Sequence, residues 1–252
     1  MSDVARHEYC AVALADALLG SGELVVSPIG TLPSIAARLA KLTNEPGLLL
    51  TDGVATLMAN TPPVGTNNVD VIAEGYLPYR SIFDVVWAGK RHVIMGAGQI
   101  DRYGNQNISA VGAWEKPTAQ LLGMRGAPGN TINHPTSYFI GNHSTRVFVE
   151  RVDVVSGVGY DRARKLGEVA RFHRLVRVVS NLGVFDFGGP DNTMRLCFLH
   201  PGVRQADVEK ATSFELAISP ELTHTREPTT EELRLLREVL DPQHLGAQEV
   251  SP

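Results

Sequence analysis

Residues 92–107 read HVIMGAGQIDRYGNQN, an apolar run that breaks off into three small residues and then into a polar stretch. The run His92 to Met95, bounded by glycine, has the length and composition of a buried strand. Gly96, Ala97 and Gly98 leave the main chain open, so that a ligand could approach its N–H groups and be held by them as an oxyanion or a carbonyl. The glycine spacing fits neither a P-loop nor a dinucleotide fingerprint, and no nucleotide reading follows from it. Tyr103-Gly104-Asn105 suits a hairpin corner as well as it suits a functional loop.

The same alternation extends outward in both directions. Residues 4–19 place Val4, Cys10, Ala11, Leu14 and Leu18 at helical spacing before Gly20, which supplies the stop. An apolar run at 23–27 leads through Pro28 and Gly30 into a second helical pattern marked by Ile35, Leu39 and Leu42, and the next strand is Leu48 to Leu50. A helix is expected near 78–88, with further strands at 146–149, 175–179, 182–187 and 195–199, and two more helices at 205–212 and 229–239. Strands alternating with helices predict an α/β protein with a largely parallel open sheet flanked by helices, in a single domain over 1–252.

Composition excludes several classes of function. The chain has 252 residues, 23 basic and 27 acidic side chains and a formal charge of -4, with no long block of one sign, so nucleic acid and anionic lipid are not expected partners. No apolar run approaches the roughly 20 residues that span a bilayer, and the polar first residues are unlike a signal peptide; the expected location is the cytoplasm. Cys10 and Cys197 sit in apolar surroundings and read as two buried reduced thiols. His143 and His173 have no ligand-spaced neighbours, so no metal is expected.

In open α/β sheets ligands collect beyond the carboxyl ends of strands. Two further loops therefore stand beside the first. LLLTDG, 48–53, runs a strand directly into Thr51, Asp52 and Gly53, a turn by composition that its position makes a candidate site. GAPGNTINH, 126–134, reads as a glycine-rich loop whose Gly126, Gly129, Asn130, Asn133 and His134 could bind a carbonyl, a phosphate or a carboxylate.

These three loops, together with RVVSNLGVFDF at 177–187, LHPGV from 199 and ATSFEL to 216, resemble the beta subunits of class I CoA-transferases along nearly the whole chain. Within that family the sequence is most similar to the CoA-transferase-like hydrolases that open the last steroid ring in actinobacteria. The resemblance implies the NagB/RpiA/CoA-transferase-like fold, a homologous alpha subunit in a heterodimer or an α2β2 heterotetramer, and an acyl-CoA substrate. CoA would be part of that substrate rather than a resident cofactor. In transferases a beta-subunit glutamate takes up CoA at the end of the strand that here reads LLLTDG. Thr51 stands in its place, and a hydroxyl cannot form the acyl anhydride.

The expectation is then a hydrolase that cleaves a carbon–carbon bond of a cyclic β-oxo acyl-CoA, with water as nucleophile and the main catalytic carboxylate supplied by the alpha subunit. Thr51 and Asp52 would orient water or substrate. The amides of Gly96 to Gln99 and of Gly126 to Asn130 would hold oxyanions, and Asn105 would anchor its loop. A conventional CoA-transferase subunit and a non-catalytic scaffold remain open alternatives.

Overall fold

The computed structural model describes residues 4–66 and 70–250. The chain forms two compact units, Met1–Met95 with Arg226–Pro252, and Gly96–Thr225.

In the first unit helix α1 (Arg6–Asp16) buries Tyr9, Cys10, Ala11, Val12 and Leu14. Strand β1 (Val25–Pro28) follows, then α2 (Thr31–Leu42), β2 (Leu49–Thr51), β3 (Thr56–Met58), β4 (Ala73–Tyr76), α3 (Ser81–Trp87) and β5 (Arg91–Met95). The strands lie in the order β5-β1-β2-β3-β4, with β1 parallel to both β5 and β2 and the outer pairs antiparallel. Connection length explains the change of sense: α2 carries the chain back for a parallel neighbour, whereas residues 52–55 close a hairpin. Helix α2 buries Leu32, Ile35, Ala36, Leu39 and Ala40, one apolar stripe at helical spacing. The returning segment adds a helical stretch, Thr230–Arg234 continued by Leu235–Leu240. Thr229 caps it by accepting the Glu232 N–H while Glu232 accepts the Thr229 N–H.

The second unit opens with two small hairpins, β6 (Gln99–Ile100) with β7 (Gln106–Asn107) and β8 (Ala110–Val111) with β9 (Ala119–Gln120). Then come α4 (Ala127–Asn133), β10 (Pro135–Ile140), α5 (Tyr160–Ala163), β11 (Arg174–Ser180), β12 (Gly183–Asp186), β13 (Arg195–Leu199), α6 (Gln205–Lys210) and β14 (Ala217–His224). Strand order is β14-β13-β12-β11-β10, parallel at β10/β11 and β13/β14 and antiparallel through β11-β12-β13. Tyr138, Phe148 and Phe185 are its largest fully buried side chains.

The α/β class read from the sequence holds, with parallel pairs at the helical crossovers and antiparallel pairs at the hairpins. Three local expectations are corrected. Residues 146–149 do not form a strand: the Ser144 carbonyl accepts the N–H groups of both Val147 and Phe148, which turns the chain and leaves one bridge, Phe148 to Ile100. The loop expected at 126–134 is helical over Ala127–Asn133, with Pro128 preset in its first turn. Strands β3, β4, β8, β9, β10 and β14 lie where the sequence suggested none. Pro220 within β14 is tolerated because that strand forms the edge of its sheet.

Cys10 and Cys197 are buried thiols in no disulfide, and burial pushes their pKa values up to about 12 and about 11 respectively. Among the described residues no helix is long and apolar enough to cross a membrane, and no group of three or more His, Cys, Asp and Glu could hold a metal ion.

Candidate functional site

The carboxyl ends of β1 and β2 in the first unit border a cavity of about 480 Å³, lined among others by Ser27, Ser34, Arg38, Thr51, Tyr79 and Arg91. Register accounts for three of these. Val25 pairs with Leu49 on one side and with Arg91 on the other, so Ser27 and Thr51, each two residues further on, share a sheet face with Arg91. The Arg91 Nε donates to Ser27 Oγ at 2.7 Å. Arg38 comes from α2, one turn beyond Ser34. Its Nη1 donates to the Ser34 carbonyl at 3.0 Å and its Nε to the Pro62 carbonyl at 2.9 Å. Burial lowers the pKa of both arginines, since partial desolvation disfavours a guanidinium.

Thr51 and Asp52 lie at the mouth of this cavity and also build its rim. Asp52 Oδ1 accepts the N–H groups of Val54, Ala55 and Thr56 at 2.8, 2.9 and 3.1 Å, and Thr51 Oγ1 accepts that of Gly53 at 3.2 Å. Hydrogen bonds from those main-chain N–H groups, Val54 first, hold the Asp52 carboxyl below the usual carboxylate range. Both side chains therefore fix the β2–β3 turn and present its edge to the cavity.

The other candidate residues lie in the second unit, where a buried polar network ties the loop after Met95 together. Gln99 Nε2 donates to Asp153 Oδ2 at 2.9 Å, and its Oε1 accepts from Asn107 Nδ2 at 2.7 Å and from the Asp153 N–H at 3.0 Å. Asn105 donates from Nδ2 to Asp101 and Asp161, both at 2.9 Å, and accepts the Gly159 N–H at 2.8 Å. Asp101 is buried, which raises its pKa although Asn105 and the Tyr103 N–H bond to it. Gly104 turns this hairpin with φ +82°, and a Cβ there would stand 2.3 Å from Leu175 Cδ1. The amide side chains of Gln99 and Asn105 are thus engaged in building the loop.

Several of the amides expected to hold oxyanions are committed as well. The Gly98 N–H donates to the Asn107 carbonyl, the Ala127 N–H to Met124 and the Asn130 N–H to Gly126. The reason at Asn130 is the helix, whose hydrogen bonds consume the amides beyond its first turn. Gly96 and Gly129 are exposed, Ala97 is half-buried, Asn133 donates to the Gly129 carbonyl, and His134 is buried. His143 stacks on Phe148 at 3.5 Å between Ser180 and Thr212, and burial lowers its pKa to about 3. His173 bonds through Nδ1 to the Thr131 carbonyl.

Ser27, Ser34, Arg38 and Arg91 were not among the residues singled out from the sequence. One signal for them was present: Arg38 is a cation on a helix whose other positions through Ala40 are apolar or small and polar.

No family model matches the chain. Its fold is shared with the glutaconate CoA-transferase of Acidaminococcus fermentans, at a TM-score of 0.82 and 23% identity over 100% of this chain and 99% of that one. The crystal structure of Rhodococcus jostii RHA1 IpdAB superposes with a TM-score of 0.94 at 58% identity, covering 100% of both chains. In sequence the chain is 59% identical over 251 residues to the cholesterol ring-cleaving hydrolase IpdB subunit of R. jostii RHA1, covering 100% of this chain and 98% of the relative. A protein of the same name from Mycobacterium tuberculosis is 53% identical over 245 residues, 97% of this chain and 98% of that one. The α/β units thus define a protein of the CoA-transferase fold. The chain belongs to the family of IpdB subunits of cholesterol ring-cleaving hydrolases.

Proposed function

We propose that this chain is the beta subunit of a heteromeric hydrolase that opens a ring of a cyclic β-oxo acyl-CoA in steroid breakdown. Family membership supports the reaction class, and the crystal structure named IpdAB supports pairing with an alpha subunit. The observation that carries the chemistry is Thr51. It closes β2 beside a cavity lined by arginines, at the position where the resemblance to transferases expects a CoA-accepting glutamate.

Without that carboxylate no acyl anhydride forms on this subunit, and the cavity suits attack by water. Water adds to the ring ketone as a base on the alpha subunit takes one proton. The bond between the carbonyl carbon and the carbon α to the thioester then breaks. Its electron pair passes into a thioester enolate, which takes a proton on carbon from the protonated base, and the former ketone becomes a carboxylic acid at the other end of the opened ring. Thr51 and Asp52 shape the edge over which water or substrate enters, and the loop held by Gln99 and Asn105 presents Gly96 and Ala97. CoA enters as part of the substrate, and the cytoplasm is where such thioesters are made and consumed.

The test is turnover by the co-purified pair in water enriched in oxygen-18. One heavy oxygen in a new carboxylate, with the thioester intact, is the expected product. Transfer of CoA to an added carboxylic acid without ring opening would overturn the reading.

A further inference from the structure

The cavity beside Thr51 is lined by two arginines, Arg38 and Arg91. Arg38 donates only to the carbonyls of Ser34 and Pro62, and it makes no ion pair with any described residue. Of the nearby carboxylates, Asp52 lines the same cavity and Glu249 lines a neighbouring one that Arg38 also borders. Both are committed to main-chain N–H groups, Asp52 to those of its own turn and Glu249 to those of Thr31 and Leu32. Arg91 lines the same cavity with its Nε set by Ser27. A half-buried guanidinium without a counter-ion is costly, and its planar fork of donors matches an oxyanion. The remaining lining includes Val25, Val54, Leu77 and Tyr79, and a volume of about 480 Å³ suits a small apolar body that carries a charged end.

We propose that this cavity is an oxyanion subsite in which Arg38 and Arg91 together hold an anionic group of the acyl-CoA substrate, either a carboxylate on the acyl part or a phosphate of CoA. The inference rests on the acyl-CoA reading given above and adds the groups that would fix the substrate's orientation. Arg38 is held by two carbonyls and Arg91 by a hydroxyl, so both forks are positioned before the substrate arrives, which lowers the cost of ordering them.

The experiment uses the co-purified pair carrying Arg38→Gln or Arg38→Lys. Each is assayed with the CoA thioester and with the pantetheine thioester of the same acyl group, which lacks the phosphates. The Gln variant can still donate to a carbonyl but carries no charge. It is expected to raise KM about tenfold or more while kcat stays within about threefold, and Lys is expected to recover part of the loss. A rise on both thioesters assigns the acyl carboxylate, and a rise on the CoA thioester alone assigns a phosphate. An unchanged KM on both overturns the proposal.

Binding is read independently of turnover by titrating the wild-type and Arg38→Gln pairs with glutarate and with free CoA. Weaker binding of either probe by the variant supports the subsite. Equal binding, or no binding of either by the wild type, overturns it. A wild-type pair that opens no ring would defeat the hydrolase reading while leaving this titration to decide the subsite.

Discussion

Arg91 donates from Nε to the hydroxyl of Ser27 at 2.7 Å, a bond that joins the start of β5 to the end of β1 on the sheet face that also carries Thr51. It sets the direction of the Arg91 guanidinium on that face. Ser27→Ala removes this orienting contact without adding bulk. Ring opening by the assembled pair is expected to lose about three- to tenfold in kcat/KM, the size of one ordinary hydrogen bond of roughly 1 kcal/mol. Steady-state kinetics of Ser27→Ala beside Ser27→Thr check this, and Thr should retain most of the activity.

Thr51→Glu restores a carboxylate at the end of β2. It also adds a negative charge to a cavity lined by Arg38 and Arg91 and removes the hydroxyl that accepts the Gly53 N–H. Ring opening is expected to fall by about tenfold or more, because a fixed carboxylate competes with the substrate's anionic group for the arginines. No CoA should appear on added carboxylic acids. Acyl exchange in the variant would show instead that the transferase machinery is otherwise complete.

Asn105→Leu strips a side chain that is 2% exposed of three hydrogen bonds at once, to Asp101, Asp161 and the Gly159 N–H. It leaves buried polar groups unpaired, at a cost of about 3 kcal/mol or more. Urea unfolding of the variant should show a clearly lower midpoint.

His143 gives the protein an acid-sensitive core. Burial lowers its folded pKa to about 3 against 6.5 for the free side chain. Below about pH 6.5 the unfolded chain takes up a proton that the folded one refuses. The stability from this residue is therefore present above that pH and is lost as the pH falls toward 3, at up to roughly 1.4 kcal/mol per pH unit. His143→Gln, which keeps a hydrogen-bonding side chain but does not titrate, should flatten stability between pH 6 and pH 4 in urea titrations.

Glu249 accepts the N–H groups of Thr31 and Leu32 at 2.8 and 2.7 Å and so caps α2 from the far end of the chain. A carboxylate at a helix N-terminus contributes roughly 1 kcal/mol through its hydrogen bonds and the helix dipole. Glu249→Ala should lower the thermal midpoint by a few degrees, with Glu249→Asp in between.

The class of fold, the family and the loop after β5 were legible in the chain itself. Apolar runs that break into glycine and polar residues specify buried strands ending in loops, and they do so locally. The burial of Cys10 and Cys197 followed from apolar neighbours. Thr51 could be singled out because one motif of six residues holds the comparison with the transferases. What the sequence could not show is how polar side chains are used. Gln99 looked like a group aimed at a ligand and Asn105 like the anchor of its loop, but the partners that engage them, Asp153, Asp161 and Gly159, lie more than 50 residues downstream. Residues 126–134 looked like a loop because two glycines weigh against a helix, and a preset Pro128 offset them. Arg38 and Arg91 lie 53 positions apart; Arg38 stands out locally only as a cation in a helical stretch otherwise uncharged through Ala40, and Arg91 has no local pattern that marks it. They line one cavity because α2 turns its apolar stripe inward, which fixes the direction of Arg38, and because the β1–β5 register puts Arg91 on the face of Ser27 and Thr51. Local patterning decides which elements form. Side-chain direction and strand register, set only when those elements pack, decide which charges meet.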